Sequence, residues 1–284
     1  MTNTSSPSAR WWTLLVALLL VAAAVRWLAW QPFRDVDTLR GDEAYYVRTA
    51  RSIAAGEGHP GSFRPPLYPA AMALVLEASG DDLDAVRWAQ IGLGLLLVVL
   101  VADLARRRFD ERAGFVAGLA AAVQPSLVHY SHFLWSELLA ATLLAATLWC
   151  LARWCQSRAM PWLIAGGLVL GATALTKEIW LYFAVVVAAW ILWSSRTIET
   201  RGKAWPPRRA WISALVFVLS AAAVVLPWTV RNTRLQGAPV LISTCRWFPI
   251  AVGNLLPEDD WLLGDGRGGE ERREIPAGLD ELGA

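Results

Sequence analysis

Long apolar stretches constrain the fold of this chain more than any single motif does. Seven segments, each about 17 residues or longer, carry few charges: 11–30, 85–105, 113–130, 134–153, 161–177, 179–195 and 210–228. Each is long enough to cross a hydrocarbon core about 30 Å thick as an α-helix. Because a spanning segment must satisfy its own backbone groups in lipid, the sequence predicts an all-α polytopic membrane protein with about seven transmembrane helices.

The composition agrees with a membrane protein and argues against a nucleic-acid partner. Hydrophobic residues make up 56% of the chain and charged residues 18%, below the roughly 25% of soluble domains. Many of the 17 Trp lie near predicted span ends, as in an interfacial aromatic belt. The net charge is only +2, and the Arg residues lie in short loops rather than on one basic face. Membrane lipids are therefore the expected surroundings.

The distribution of basic residues predicts the orientation. Arg and Lys are concentrated in residues 106–112, at Arg153 and Arg158, and in residues 196–209. All three regions face the cytoplasm if the N-terminus is cytoplasmic and the short apolar stretch 65–79 does not cross the membrane. If that stretch crossed, all three would face outward. We therefore expect seven spans, the first of them an uncleaved anchor.

One large outer loop, residues 31–84, follows from this topology. Within it the sequence predicts an amphipathic helix over 42–55 and a second helix from residue 65, both lying in the membrane interface. Residues 1–228 would form a transmembrane module and residues 229–284 an extracytoplasmic polar tail. Residues 264–274, rich in Gly and charge, are expected to be flexible.

Ionisable residues near the outer ends of spans are candidates for function, because charge beside hydrocarbon is costly. Asp42 and Glu43 open the first surface helix, where they would act as a general base or only stabilise the helix start. Arg64 precedes two prolines at the start of the second helix. It would bind a phosphate or only extend toward lipid headgroups.

Three more candidates lie at the outer ends of later spans. Arg87 would contact a phosphate or anchor the interface, and Glu137 would face the same cavity as Asp42 or only stabilise its helix start. Lys177 would bind phosphate or form a self-neutralising turn with Glu178. His129 and His132 have metal-like spacing but no third ligand in view, so no metal site is expected.

The order of short motifs resembles the family 39 glycosyltransferases, which include protein O-mannosyltransferases and lipid A aminoarabinose transferases. The motifs are Asp-Glu-Ala-x-Tyr at 42–46, Arg-Pro-Pro-Leu at 64–67, Tyr-Ser…Ser-Glu at 130–137, Thr-Lys at 176–177 and Pro-Trp-x-x-Arg-Asn at 227–232. Each motif is short. Their order and side of the membrane, over residues 40–254, make the similarity fairly specific.

The resemblance implies a C-type membrane glycosyltransferase fold and an inverting transfer from a polyprenyl-phosphate sugar. It places the catalytic acidic residue at Asp42, in the Asp-Glu pair, and the second acidic position at Glu137. Arg64 stands where better-known members have His or Lys, and Arg87 matches the Arg of the second span.

The same resemblance bears on location, partners and completeness. It implies a bacterial cytoplasmic membrane, an active site on its outer face, and a lipid, glycan or protein acceptor. A divalent metal is compatible with this chemistry but not required. Members usually continue with several more spans, so the chain is expected to be C-terminally short. A non-catalytic accessory relative and a membrane transporter are the alternative functions.

Overall fold

The computed structural model describes residues 7–34, 38–197, 199–200, 203–204 and 206–245. Residues 264–274, expected to be flexible, lie outside this part of the chain. The described α-helices are α1 (Ala9–Trp30), α2 (Glu43–Ala54), α3 (Leu67–Ser79), α4 (Leu83–Arg108), α5 (Glu111–Val123), α6 (Pro125–His129), α7 (Glu137–Ser157), α8 (Met160–Thr176), α9 (Phe183–Thr197) and α10 (Pro207–Gln236). Short 3-10 helices cover Gln31–Phe33 and Glu178–Tyr182, and Glu199–Thr200 pairs with Lys203–Ala204 in a small antiparallel ladder. The prediction of an all-α protein is confirmed.

Within the described residues, four helices are long and apolar enough to cross a membrane: α1, α4, α7 and α10. Shorter apolar helices cover Met160–Thr176 and Glu178–Ser194, where the fifth and sixth spans were predicted. Large apolar side chains point outward from these helices: Leu20 is 66% exposed, Val185 69% and Leu215 58%. Such a surface suits hydrocarbon, and the polytopic prediction is confirmed.

The segment predicted as one span over 113–130 is two helices rather than one. α5 ends at Val123, and Gln124 is extended, with φ −61° and ψ 119°. Pro125 then starts α6. Proline lacks a backbone N–H and disfavours helical geometry in the residue before it, which breaks the helix at this position. The side chain of Gln124 caps the new start by accepting a hydrogen bond from Leu127 N at 3.2 Å.

The two helices expected in the first outer loop are present as α2 and α3. α3 has 13 residues, too few to cross a bilayer. The pair packs through a shared core of Tyr46, Val47, Ala50, Tyr68 and Met72. α3 ends at Gly80, whose φ of +74° is a left-handed conformation that glycine adopts without strain.

The helices alternate in direction, so basic residues gather at one end of the bundle. There Ser8, before α1, donates a hydrogen bond to Glu111 at the start of α5, and Arg106 near the end of α4 lies over the Trp11 ring. Arg153 near the end of α7 lies over the ring of Trp162 at the start of α8. Arg107 Nη1, at the same end of α4, donates to Gln156 Oε1 near the end of α7 at 3.5 Å. The basic residues of 106–112 and those at Arg153 and Arg158 therefore share one end, which we call the basic end.

α8 and α10 approach closely through two glycines of α8. A Cβ atom added at Gly167 would lie 2.5 Å from Phe217 O, and one at Gly171 would lie 2.6 Å from Ala221 O. Glycines four residues apart let membrane helices approach to backbone contact. Any larger side chain must therefore push α10 away.

We expect Gly171→Leu to destabilise the protein by about 1–3 kcal/mol, because the added side chain overpacks this helix contact. Thermal unfolding in detergent measures the change. Gly92→Leu in α4 is the matched control, since a Cβ atom there meets nothing within 4 Å. Equal unfolding temperatures for the two variants would show that the α8–α10 contact is not tightly packed.

Candidate active site

The candidate residues from distant parts of the sequence come together at the end of the bundle opposite the basic end. Asp42 precedes α2, Glu137 is the first residue of α7, and Lys177 follows α8. The phenol of Tyr46 lies within electrostatic range of Arg64, Asp42 and Glu137. We call this group of side chains the candidate site.

Two ion pairs define the candidate site. Arg64 Nη2 lies 2.6 Å from Asp42 Oδ1, and Lys177 Nζ lies 2.6 Å from Glu137 Oε1. All four side chains keep part of their surface accessible, from 24% for Arg64 to 45% for Asp42. Ion pairs this exposed add little to stability. Their importance is geometric, because Asp42 and Glu137 each lie beside a candidate phosphate-binding cation.

Aromatic rings hold the Arg64 guanidinium. Its central carbon lies 5.6 Å from the ring centre of Tyr45, 5.7 Å from that of Tyr46 and 5.5 Å from that of Phe63. A planar guanidinium stacks on such faces better than an ammonium does. Burial raises the pKa of both tyrosines, so their hydroxyls stay neutral at physiological pH. Arg64 is therefore a charged group surrounded by three aromatic rings.

Glu43 is buried, and the backbone uses both of its carboxylate oxygens. Oε1 accepts a hydrogen bond from Leu134 N at 2.8 Å, and Oε2 accepts one from Arg40 N at 2.7 Å. The side chain thus joins the residues before α2 to residues 131–136, the segment between α6 and α7. A direct catalytic role for Glu43 stays a prediction, whereas its contacts show how the neighbouring Asp42 is held.

Arg87 lies deeper than the other candidate cations. Its side chain is 5% exposed, and Nη1 lies 2.6 Å from Asp84 Oδ1 one turn earlier in α4. It is also within electrostatic range of Tyr68, under the α2–α3 pair. Arg87 is therefore a buried cation near Tyr68, and its assignment to the candidate site stays a prediction.

The two histidines expected to lack a metal role are packed among aromatic and basic groups. The His129 ring stacks on Phe133 with centroids 4.0 Å apart. Burial, with help from the charges of Arg26 and Arg87, lowers the pKa of His132 to about 4, so this imidazole is neutral at physiological pH. In the described part of the chain, no three His, Cys, Asp or Glu side chains are grouped as metal ligands would be. Independence from a metal remains a prediction.

Sequence reasoning assigned no role to Arg231, although the motif at 227–232 contains it. Its Nη2 donates to His59 O at 2.5 Å and its Nη1 donates to Gly61 O at 3.0 Å, while the guanidinium lies 4.4 Å from the Trp228 ring centre. The end of α10 therefore holds the loop that leads directly to Arg64. No local sequence pattern indicates this contact, because about 170 residues separate Arg231 from its partners.

The same motif binds a second segment. Trp228 Nε1 and Asn232 Nδ2 each donate to Ile242 O at 2.8 Å. That segment continues along the Arg64 loop, where Thr244 N donates to Ser62 O at 3.0 Å and Cys245 N donates to Phe63 O at 3.1 Å. The loop before Arg64 and the segment that ends at Cys245 are thus both bound to the last turns of α10.

We expect Arg231→Ala to loosen the loop before Arg64 and to destabilise the protein by about 1–3 kcal/mol, because two backbone carbonyls lose a charged donor. Hydrogen exchange over residues 58–64 should become faster. Arg234→Ala, an exposed position one turn later on the same helix, is the control. Equal exchange in both variants would mean that Arg231 does not hold the loop.

The fold and the candidate site together define an all-helical, multi-span membrane protein that gathers paired carboxylates and cations at one end. A family model described as dolichyl-phosphate-mannose-protein mannosyltransferase matches residues 63–228, more than half of the chain, and the chain belongs to this family of membrane glycosyltransferases. The resemblance to the C-type glycosyltransferases is thereby confirmed. The match contains Arg64, Arg87, Glu137 and Lys177, whereas Asp42 and Glu43 precede it. Comparison with curated proteins and with solved structures gives no match.

Proposed function

We propose that this protein transfers a sugar from a polyprenyl-phosphate donor to an acceptor hydroxyl on the outer face of a bacterial cytoplasmic membrane, with inversion at the anomeric carbon. The observation that carries the proposal is the pairing of Asp42 with Arg64 and of Glu137 with Lys177 at a single end of the bundle. This arrangement offers a base and phosphate-binding cations within one site.

The donor phosphate would be bound by Arg64 and Lys177. Both cations are partly accessible, and a phosphate oxygen accepts charge-assisted hydrogen bonds from either. Binding would draw these cations away from Asp42 and Glu137, which leaves the two carboxylates free for the acceptor. Arg87, deeper in the site, would add to the positive potential around the phosphate.

The chemical step would be a single displacement. Asp42 takes the proton of the acceptor hydroxyl as that oxygen forms a bond to the anomeric carbon. The bond between that carbon and the phosphate oxygen breaks at the same time, and its electron pair leaves with polyprenyl phosphate. Arg64 and Lys177 stabilise the developing negative charge, so the leaving group needs no acid. One displacement inverts the configuration.

Glu137 and Glu43 would support this step in different ways. Glu137, released by Lys177, would orient the acceptor beside Asp42. Glu43 would keep Asp42 in place through its backbone contacts at Arg40 and Leu134. Among these carboxylates the role of base goes to Asp42, because its side chain is the most accessible of the three.

The orientation follows from the basic end of the bundle. Arg-rich ends of membrane helices face the cytoplasm, which would place the candidate site on the outer face. A single cysteine at Asp82 should react with an impermeant reagent added outside, and one at Arg112 should not, in a protein whose three natural cysteines are replaced by alanine. The reverse labelling pattern would overturn the orientation.

Transfer from lipid-linked donors tests the proposed function. Membrane vesicles that contain the native chain should incorporate radiolabel from at least one polyprenyl-phosphate sugar, and none directly from nucleotide sugars under conditions that block lipid-linked intermediates. Vesicles that lack the chain are the control. Incorporation from nucleotide sugars alone, or none from any lipid-linked sugar, would contradict the proposal.

A further inference from the structure

Arg26 is a buried cation that the proposed chemistry does not use. Its side chain lies within α1, four residues before the end of this membrane-spanning helix, and is 0% exposed. Among the described residues no carboxylate lies within salt-bridge distance of its guanidinium. Because burial of a charge within a membrane-spanning helix is costly, a buried arginine at this position indicates a structural or functional role.

The hydrogen bonds of Arg26 span the break between α5 and α6. Its Nη1 donates to Ala122 O at 3.0 Å, in the last turn of α5, where carbonyls lack the amide partners of a continuing helix. Its Nε donates to Ser131 Oγ at 3.1 Å, and that hydroxyl donates to Leu127 O at 2.9 Å. One guanidinium thus binds both sides of the interruption that Pro125 causes.

Space for this side chain exists because α4 carries a glycine beside it. A Cβ atom at Gly94 would lie 2.5 Å from Arg26 Nε. Any other residue at position 94 would displace the guanidinium from its partners. The close approach shows that Arg26 is fitted between three helices rather than directed toward lipid.

The segment that Arg26 holds connects the two carboxylates of the candidate site. Its first residue, Ser131, binds Arg26, and its Leu134 amide binds Glu43, next to Asp42. At its far end Ser136 Oγ accepts a hydrogen bond from the Tyr46 hydroxyl at 3.2 Å, and Glu137 follows directly. A shift of residues 131–136 would therefore change the separation of Asp42 and Glu137.

We infer that Arg26 is a positioning residue, which sets the relative placement of Asp42 and Glu137 by clamping residues 131–136 to the break between α5 and α6. The expected effect of Arg26 on catalysis rests on the proposed function. The structural claim, that Arg26 holds residues 131–136 in place, does not depend on it. Arg26 acts through the segment and touches no substrate.

Hydrogen exchange and kinetics on Arg26→Gln test the clamp together. Exchange over residues 131–136 should become faster, whereas helices remote from the break should keep their protection. The kcat of transfer should fall by about tenfold to a hundredfold, because small displacements of catalytic groups have effects of this size. The donor KM should stay nearly constant, since Arg64 and Lys177 are untouched, and Arg26→Lys should recover part of the loss.

Two further variants keep the test decisive. Ser131→Ala removes the acceptor of Arg26 Nε together with the bond from that hydroxyl to Leu127 O, keeps the guanidinium in place, and should reproduce the effects in weaker form. It replaces Arg26→Gln in the test if that variant does not fold. Arg48→Gln, an exposed position on α2, is the control for the loss of an arginine.

Unchanged exchange over residues 131–136 in folded Arg26→Gln, or a raised donor KM with an unchanged kcat, would overturn the inference. If the native protein transfers no sugar, the proposed function fails, while the exchange result still decides whether Arg26 clamps the segment.

Discussion

Replacement of Asp42 by asparagine is expected to lower sugar transfer by about a hundredfold to ten-thousandfold, the range that general-base catalysis contributes. Asparagine has nearly the same shape but cannot take a proton from the acceptor hydroxyl. The variant should still fold, because the lost ion pair with Arg64 is partly exposed. Initial transfer rates at saturating donor, with the unfolding temperature measured in parallel, give the result.

Asp81→Asn is the matched control for this change. Asp81 also forms an ion pair with an arginine, Arg51, at 2.8 Å, and that pair is about half exposed at the other end of the α2–α3 unit. Its removal should leave transfer nearly unchanged. If Asp42→Asn transferred sugar as fast as Asp81→Asn, Asp42 would not be the base.

Arg64→Gln is expected to have the second largest effect, a loss of about a hundredfold to a thousandfold in kcat/KM, as for removal of one preorganised group that stabilises developing charge. Both parameters should change, because Arg64 would bind the phosphate in the donor and stabilise it more strongly as it leaves. Arg64→Lys should recover part of the loss, since it keeps the charge but not the planar stacking on Tyr45 and Phe63.

Arg51→Gln serves as the control, because it removes the arginine of the exposed pair with Asp81. Kinetics at varied donor concentration separate the two parameters. A normal kcat/KM in Arg64→Gln would exclude this residue from donor binding and leave Lys177 and Arg87 as the remaining candidates.

The parts of the fold that depend on local sequence could be predicted. Apolar length alone indicated α1, α4, α7 and α10. The amphipathic pattern and the Gly and Pro residues around it indicated α2 and α3, with observed bounds within about two residues of the prediction. The break after Val123 was not predicted. Its cause in the sequence is the single residue Pro125, and one proline changes the hydropathy of a long apolar segment very little.

The contacts between distant residues could not be predicted. Motif order suggested that Asp42, Arg64, Glu137 and Lys177 act together, but which carboxylate pairs with which cation depends on how α2, α7 and α8 pack. Only the resemblance favoured Asp42 over Glu43. The residue types alone did not distinguish them, because the buried partners of Glu43 are backbone amides, and every residue except proline has one.

Two arginines show the same limit. In the sequence, Arg26 is a single charge within an apolar segment, and Arg231 is one member of a short motif. Both bind backbone carbonyls, and Arg26 also a hydroxyl, of residues far away along the chain. Every residue has a backbone carbonyl, so the sequence does not indicate which carbonyl accepts such a hydrogen bond. Only the packed structure reveals these contacts.

The most direct test of the central claim is to incubate the purified native protein with a polyprenyl-phosphate sugar of known anomeric configuration and an acceptor, and to determine both products. The account predicts that polyprenyl phosphate is released in equal amount to the glycosylated acceptor, whose new linkage has the inverted configuration by nuclear magnetic resonance. A product with retained configuration would contradict the single displacement by the acceptor. Glycosylation without release of polyprenyl phosphate would contradict the lipid-linked donor.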